Sequence, residues 1–449
     1  MISNLFRVSA VLLLMLAGLR IGLPGQTRPS ESAMPIVELV EEEYPSLFDL
    51  YRHLHAHPEL SRQEAETSAR LQQELKQVGF LVTSRVGGHG FVAVLKNGEG
   101  PTVMVRTDLD GLPVTEQTGL PYSSRVRTQD DEGNEVGVMH ACGHDVHMAC
   151  FVGTARLLSR MRNRWQGTLV MIGQPAEERG GGAKAMLDDG LFERFPRPDY
   201  VVALHDDAGL EAGKVGFCEG NALAGTGSVD VIIRGVSGHG AWPHMTKDPI
   251  VLASQTILAW QTIVSREIRP LDSAVVTVGS IHAGTKHNII PDEVKLQLTI
   301  RFYSDEMKTH ILESLERIAR GLAQAAGLPP ELAPSVKVVE GIDPTYNTPE
   351  LTRRLRASAE AILGKENVVS REPVMGGEDF GLYGKTPSRI PICIFWLGAV
   401  NPDKIKQSRL PEAKPLPSLH SSGYAPDPEP TLKTGVKAMT AGVMDLFRR

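Results

Sequence analysis

Thiol, imidazole and carboxylate side chains recur in four short clusters of this sequence. The clusters are Thr-Asp-Leu-Asp-Gly at 107–111, Met-His-Ala-Cys-Gly-His-Asp-Val-His at 139–147, Gln-Pro-Ala-Glu-Glu at 174–178 and His-Asp at 205–206. Together they supply the donors that Zn²⁺ and neighbouring first-row metal ions bind. The pattern therefore predicts a metal site that activates water and polarises a carbonyl group, with a nearby carboxylate that takes the proton.

Spacing within two of the clusters refines this prediction. Cys142 and His144 are separated by one glycine, which allows both side chains to point into one site. Glu177 and Glu178 are adjacent, so they cannot face the same way on an extended backbone. One of them is expected to hold metal and the other to face the substrate water. His420, in a Leu-His-Ser segment that follows the last predicted strand and its loop, is a fifth candidate.

Each cluster taken alone has an ordinary explanation. The Cys-Gly-His triplet can be a buried thiol beside a hydrogen-bonded histidine, and the Glu-Glu pair can be a solvated turn. His205 can be a core or surface histidine. The coincidence of metal-type donors at four separate strand ends favours a metal site. The histidines at 53, 55 and 57 are interpreted as structural, because they are spread over a predicted helix.

Buried strands must position these clusters. Apolar runs predict strands over 102–106, 168–173 and 200–204, and each runs directly into a cluster. Ligand sites in open α/β sheets lie at the carboxyl ends of strands. Helices are predicted over 35–57 and 146–161, and a third begins with a capping box at Ser61 and Glu64 and stops at Gly79. This alternation predicts an α/β fold.

The order of elements changes after about residue 224. A strand, a helix, two strands, a helix and a strand are predicted in turn over 229–339. This β-α-β-β-α-β order is the ferredoxin-like unit. We therefore expect an inserted domain at 224–341, with the catalytic domain divided into 35–223 and 342–449.

Composition and the N-terminal segment indicate the number of domains, the class of partner and the location of the protein. The 449 residues predict two or three domains, and a net charge of −6 without a basic block argues against nucleic acid as a partner. Arg7 precedes an apolar run over 8–19, which predicts a signal peptide at 1–26 and export to the periplasm or medium. An uncleaved anchor and a buried helix are the alternatives. Of the four cysteines, Cys142 is expected as a metal thiolate outside any disulfide.

Seven segments together resemble the metallo-amidohydrolase family of aminoacylases, carboxypeptidase G and hippurate hydrolases, and most of all its hippurate and auxin–amino acid conjugate hydrolase branch. They are His-Ala-His-Pro-Glu-Leu-Ser at 55–61, Asp-Leu-Asp-Gly-Leu-Pro-Val at 108–114, Met-His-Ala-Cys-Gly-His-Asp at 139–145, Gln-Pro-Ala-Glu-Glu at 174–178, Gly-His-Gly-Ala-Trp-Pro-His at 238–244, Asn-Ile-Ile-Pro at 288–291 and Gly-Gly-Glu-Asp-Phe at 376–380. The resemblance implies a zinc-peptidase-like catalytic domain, with a mixed sheet flanked by helices, and an inserted ferredoxin-like domain that acts as a lid and dimer interface.

The resemblance also implies roles for particular residues. It implies two divalent metal ions, Zn²⁺, Mn²⁺ or Co²⁺, held by five ligands: Cys142, His144, Glu178, His205 and His420. Glu177 is implied as the general base and later acid. His239 is implied to polarise the substrate carbonyl group, often across the dimer.

Further implied residues bind substrate or support the ligands. Asn288 and Arg301 are implied to hold the amide and carboxylate of the substrate, and a guanidinium suits a carboxylate because it donates two parallel hydrogen bonds. Asp110 and Asp145 are implied to orient the ligand imidazoles. The implied reaction is hydrolysis of an N-acyl amino acid or a related small amide.

Two other activities are alternatives, and the sequence departs from the family pattern at three places. A dipeptidase or carboxypeptidase would use the same site, and a binding domain without catalysis is opposed by the intact base and ligands. The chain departs from the common pattern in an acidic insert at 130–135, in two aspartates after His205 and in a long loop at 401–417. All three departures lie near the expected entrance to the active site. They are therefore expected to affect which substrate is bound more than which reaction is catalysed.

Overall fold

An eight-stranded mixed sheet lies at the centre of the structure, a computed structural model that describes residues 34–448. The strands β1 to β18 are Leu81–Ser84, Phe91–Asn97, Thr102–Asp108, Arg127–Gln129, Glu135–Gly137, Gly167–Gln174, Tyr200–Glu211, Val215–Phe217, Gly220–Leu223, Gly225–Arg234, Gly238–His239, Val275–Ala283, Ile289–Ile290, Glu293–Phe302, Ser335–Ile342, Thr345–Asn347, Val368–Ser370 and Ile392–Val400. The sheet order is β1-β2-β6-β3-β7-β18-β8-β17. Its four middle strands, β6, β3, β7 and β18, run parallel.

Helices cover both faces of this sheet. The helices α1 to α11 are Met34–Ala56, Ala65–Gln77, His144–Arg160, Gly182–Asp188, Leu191–Arg194, Pro249–Thr262, Asp305–Ala325, Pro349–Leu363, Leu382–Lys385, Pro402–Ser408 and Pro428–Leu446. Helices α1, α3, α8 and α11 pack on one face through buried side chains such as Leu50, Phe151 and Val436. Helices α4 and α9 pack on the other face through Met186 and Tyr383. Burial on both faces explains why the middle strands read as continuous apolar runs.

A four-stranded antiparallel sheet forms a separate core. Its order is β12-β14-β10-β15, and helices α6 and α7 contribute to the core beside it. Trp260 of α6, Phe302 of β14 and Leu315 of α7 are among the fully buried side chains of this core. Along the chain the elements follow the β-α-β-β-α-β order. The limits of this unit as a domain stay a prediction, and β15 runs to Ile342.

The start of α2 differs from the prediction. The predicted capping box is wrong, because Glu64 makes no side-chain cap and the hydroxyl of Ser61 donates instead to Asp110 at 2.6 Å. The end of α2 is as predicted. Gly79 has a φ of 91°, a conformation that glycine adopts without steric cost. The loop before α2 therefore faces the carboxyl ends of the strands and does not cap its own helix.

The predicted signal peptide at 1–26 lies outside the described residues. Within residues 34–448, we find no helix with the length and apolar character that crossing a bilayer requires. Export therefore stays a prediction from the sequence.

Candidate metal centre

Parallel pairing brings the predicted clusters to one edge of the central sheet. Asp108 ends β3 opposite Gln174, the last residue of β6. His205 lies in β7 opposite Trp396 of β18. Strand β7 continues past its predicted end at 204, because β18 pairs with it as far as Glu211. The donors thus meet where the middle strands point their carboxyl ends.

A glycine directs Cys142 and His144 into the same space. Gly143 has a φ of 75° and immediately precedes α3, whose first residue is His144. A Cβ atom on Gly143 would overlap the carboxylate of Asp206, so the position has no room for a side chain. The Cys142 thiol and the His144 imidazole lie with the His205 imidazole in one group, whose donor atoms are all within 4.8 Å of one another.

The structure brings all five predicted ligands together. The Sγ atom of Cys142 is 3.6 Å from Nε2 of His205 and 3.3 Å from Nε2 of His420. The Glu178 carboxylate oxygens are 3.6 Å from Nε2 of His420 and 3.8 Å from Nε2 of His144. Donors that share one tetrahedral ion, each at roughly 2.0–2.3 Å from it, lie roughly 3.3–3.8 Å apart. The observed spacing is therefore that of a shared metal shell.

Unsatisfied atoms show that a cation fits this set of residues. Nε2 of His144 and Oε1 of Glu178 are buried and have no hydrogen-bond partner among the described residues. Burial, and then the charge of Glu178, raises the pKa of the Cys142 thiol well above its ordinary value. A divalent cation would give the two unpartnered atoms a partner and would stabilise the thiolate.

Glu177 is buried beside this cluster. One of its carboxylate oxygens is 3.9 Å from Nε2 of His144. Burial, followed by the charges of Glu378 and Glu178, raises the pKa of Glu177 well above its ordinary value. A carboxyl group with a raised pKa can both take and return a proton near neutral pH. The two adjacent glutamates thus have different surroundings, and Glu178 is the one that approaches His420.

A group of buried side chains behind the ligands was not predicted. His147 is 2.9 Å from the carboxylate of Asp108 through Nδ1 and 3.1 Å from that of Asp206 through Nε2. The hydroxyl of Tyr424 donates to Asp206. The spacing of His144 and His147, one turn apart on α3, was the available signal, because it places both rings on one helix face. The donor atoms of Asp108, His144 and His147 also lie within 4.8 Å of one another.

A buried arginine connects the strand ends to the segment at 376–380. The guanidinium of Arg106 donates to Asp108 at 2.7 Å, to Glu378 at 2.7 Å and to Gln174 at 3.0 Å. The amide of Gln174 donates in turn to Asp379 at 2.6 Å. Burial, and then the Glu378 charge, raises the pKa of Asp379 to about 7. An arginine directly after the apolar residues 103–105 of a buried strand was the sequence signal for this network.

The two predicted supporting aspartates differ in their contacts. Nδ1 of His144 donates to the main-chain carbonyl of Asp110 at 2.8 Å, so Asp110 lies beside a predicted ligand ring. Asp145 instead contacts Nδ1 of His55 at 2.6 Å, and Nε2 of His55 is 3.1 Å from Glu116. The expected contact of Asp145 with a ligand imidazole is therefore not formed. Asp145 lies in the first turn of α3 and reaches toward α1.

The predicted substrate residues lie on the four-stranded unit and its neighbouring ribbon. Strands β11 and β13 pair so that His239 lies opposite Ile289, and the carbonyl of Asn288 accepts the Gly240 N–H at 2.9 Å. His239 and Asn288 are exposed. Arg301 lies near the end of β14, and burial lowers its pKa. The structure thus brings His239 and Asn288 together and leaves Arg301 on a separate strand.

The three departures have defined structures. The acidic insert is the turn of the β4–β5 hairpin, where Asp131 pairs with Arg179 at 3.0 Å. The two aspartates after His205 make different contacts, because Asp206 binds His147 and Asp207 pairs with Arg371. The predicted loop at 401–417 begins with helix α10, so its first half was predicted wrongly; Pro402 at the N-terminus of α10 favours a helix start.

A sheet whose strand ends gather thiol, imidazole and carboxylate donors around a buried glutamate is the architecture of a metal-dependent hydrolase. The chain belongs to peptidase family M20/M25/M40, whose sequence profile matches residues 104–414. The family resemblance of the motifs is therefore confirmed.

Individual relatives support the same assignment. N-acetyl-L-cysteine deacetylase of Bacillus subtilis is 36% identical over 357 residues, which are 78% of this chain and 82% of that protein. N-acetyldiaminopimelate deacetylase of Lactobacillus helveticus is 36% identical over 400 residues, 88% of this chain and 95% of that protein. IAA-amino acid hydrolase ILR1-like 2 of Arabidopsis thaliana is 34% identical over 348 residues, 76% of each.

A solved structure supports the fold. The YXEP protein of Bacillus subtilis, a dinuclear metal-binding peptidase from the M20 family, aligns with a TM-score of 0.73 and 29% identity. The alignment covers 90% of this chain and 98% of that one. The predicted α/β fold, with a central mixed sheet flanked by helices, is confirmed.

Proposed function

We propose that the protein is a metal-dependent amidohydrolase that cleaves the amide bond of N-acyl amino acids. The observation that carries this proposal is the convergence of five donors beside the buried Glu177. The deacetylases and the amino acid conjugate hydrolase among the relatives support an acylated amino acid as the substrate class.

The ligand set suits two divalent ions. The residues that would hold them are Cys142, His144, Glu178, His205 and His420. The dinuclear relative supports two ions, and the mixed donors suit Zn²⁺, Mn²⁺ or Co²⁺. When bound, the ions supply a more acidic water and a polarised carbonyl group.

Glu177 then moves the proton. Its carboxylate accepts a proton from the attacking water and returns it to the leaving nitrogen, so the products are a carboxylic acid and an amine. His239 donates a hydrogen bond to the carbonyl oxygen as negative charge develops there. Asn288 holds the amide of the substrate and Arg301 its carboxylate.

His239 is proposed to reach a site through a dimer. Leu258 and Val251 on α6 are 72% and 53% exposed, and Ile281 on the edge strand β12 is 51% exposed. Exposed apolar side chains beside an unpaired strand edge are typical of an interface. Light scattering should give a dimer for the native chain and a monomer for Leu258→Asp; a native monomer would contradict the proposal.

Export is also proposed, on the strength of Arg7 and the apolar run at 8–19. Expression in a bacterial host followed by fractionation and N-terminal sequencing tests it. We expect a shortened chain in the periplasm or medium. A full-length chain in the cytosol would contradict export.

A substrate panel tests the reaction. Protein reconstituted with Zn²⁺, Mn²⁺ or Co²⁺ is offered N-acetyl, N-benzoyl and indole-acetyl amino acids together with unblocked dipeptides. We expect hydrolysis of the acylated amino acids, with Glu177→Gln as the inactive control. Preference for dipeptides would favour a dipeptidase or carboxypeptidase, and binding without turnover in every metal would favour a non-catalytic domain.

A further inference from the structure

The residue before the proposed base has an unusual backbone conformation. Ala176 has a φ of 51°, in the left-handed region that residues with a side chain rarely adopt. It follows the end of β6 and directly precedes Glu177. The change of backbone direction at Ala176 therefore determines where the Glu177 carboxylate points.

Buried carboxyl groups accept hydrogen bonds from the main chain before and after Glu177. Oε1 of Glu64 accepts the N–H of Ala176 at 2.7 Å. Oδ2 of Asp110 accepts the N–H of Glu178 at 3.0 Å and the hydroxyl of Ser61 at 2.6 Å. Buried hydrogen bonds of this kind are costly to break, so they can hold a strained loop in one conformation.

Among the described residues, Glu64 accepts hydrogen bonds from the loop that carries Glu177 and from its own loop. It is fully buried, and its other oxygen has no hydrogen-bond partner among the described residues. Oε1 also accepts the N–H of Arg62 at 2.8 Å, within the same loop. The spacing of Ser61 and Glu64 would suit a helix cap, but neither side chain caps α2, and Glu59 accepts the N–H groups of Glu66 and Thr67 instead. Glu64 bonds directly to the loop that carries Glu177, and Ser61 bonds to Asp110, which also accepts the Glu178 N–H.

We propose that Glu64 is a positioning residue for catalysis, which holds Ala176 in the left-handed conformation so that Glu177 faces the reacting water. The inference rests on the proposed function, because Glu64 acts through Glu177. Glu64 is not one of the five proposed ligands, and its hydrogen bonds are with the main chain of Arg62 and Ala176. Losing the bond should let the loop relax toward an ordinary conformation and turn Glu177 away.

The test compares three variants in the full-length, metal-loaded protein. Glu64→Ala removes the acceptor, and Glu64→Gln keeps an uncharged one. Glu74→Ala is the matched control, because Glu74 is a buried carboxylate on α2 that pairs with Arg70 and Arg156 and not with the site. We expect Glu64→Ala to lower kcat about ten- to hundredfold, the usual cost of misplacing a catalytic group, with little change in KM.

Rescue and hydrogen exchange distinguish positioning from general stability. Glycine adopts a positive φ without strain, so adding Ala176→Gly to Glu64→Ala should restore much of kcat. Mass spectrometry of the peptide that contains Ala176 should show faster amide exchange in Glu64→Ala than in Glu74→Ala. Metal content should match the native protein in all variants. Glu64→Gln should fall between native and Glu64→Ala in both measurements, because its amide keeps an acceptor oxygen.

The outcomes separate this inference from the proposed function. If the native protein hydrolyses no amide, the proposed function fails, while the exchange measurement still decides whether Glu64 holds Ala176. Equal losses of kcat in Glu64→Ala and Glu74→Ala, or no rescue by Ala176→Gly, would overturn the inference. If Glu64→Ala does not fold, native kcat and native exchange in Glu64→Gln would overturn it equally.

Discussion

The cluster at the strand ends and the ribbon that carries His239 are built in different ways. In the cluster, His205 lies on the buried strand β7 and His144 begins α3, while Cys142, Glu178 and His420 lie in loops at the strand ends. Side chains behind the ligands, such as His147, are hydrogen-bonded in turn. The ribbon has only two short strands, and the exposed His239 ring accepts one bond, from the nearby Ala241 N–H at 3.1 Å. The fold thus gathers the first group through many buried contacts, whereas it holds His239 of the second by a single hydrogen bond.

The largest expected effect tests the strand-end cluster. Glu177→Gln keeps the size of the side chain and removes the titrating group, so it should lower kcat by about 10²–10⁴ while both metal ions remain bound. Glu178→Gln should lower metal content first, because Glu178 approaches His144 and His420. Steady-state kinetics and metal analysis on the same samples measure both effects. Near-native turnover of Glu177→Gln, or metal loss in that variant alone, would reverse the roles of the two glutamates.

The convergence of these donors could be predicted from the sequence because its signals are local. The clusters at 107–111, 174–178 and 205–206 each follow an apolar run, and strands that bury both faces make such runs easy to recognise. Cys142 and His144 needed only the glycine between them, and that glycine does have a positive φ. The roles of the ligands nevertheless came from the family resemblance, since residue types alone left Glu177 and Glu178 interchangeable.

Contacts between distant segments could not be predicted in the same way. The bond of Glu64 to Ala176 joins residues 112 positions apart, and Ser61 and Glu64 carried a helix-capping signature that the tertiary contacts override. The Arg106 pair with Glu378 spans 272 positions. Register between β3, β6 and the segment at 376–380 decides these contacts, and one sequence does not specify that register.

The second prediction concerns the buried ion pairs of Arg106 at the strand ends. Arg106→Met should leave buried carboxylates at Asp108, Glu378 and Asp379 without their cation, and breaking a buried pair in this way costs about 3–5 kcal/mol. Urea unfolding of the metal-free protein measures the loss. Arg269→Ala is the control, because its pair with Asp272 is exposed on the other unit. Equal stability of the two variants would show that the network does not support the strand ends.

The third prediction tests the ribbon. His239→Ala should lower kcat about 10²–10³-fold, as for other lost oxyanion donors, with metal content unchanged. If His239 acts across the dimer, mixing this variant with Glu177→Gln forms hybrid dimers in which one site is complete. An equal mixture should then recover about a quarter of the native rate. An inactive mixture would show instead that His239 serves the site of its own chain.

The smallest expected effect concerns Arg179. Its side chain extends from the same loop as Glu177 but lies at the surface. Its pair with Asp131 of the β4–β5 hairpin is 3.0 Å long, and both side chains are about half exposed. Exposed pairs contribute about 0–1 kcal/mol, because water screens the charges and both side chains lose rotamer freedom. Arg179→Gln should therefore change the free energy of unfolding by less than about 1 kcal/mol and leave kcat on N-acetyl amino acids near its native value. Urea unfolding and steady-state kinetics, run beside Glu64→Ala, measure the contrast. A loss of kcat in Arg179→Gln as large as that in Glu64→Ala would mean that the hairpin, and not the buried carboxylates, holds the loop of the base.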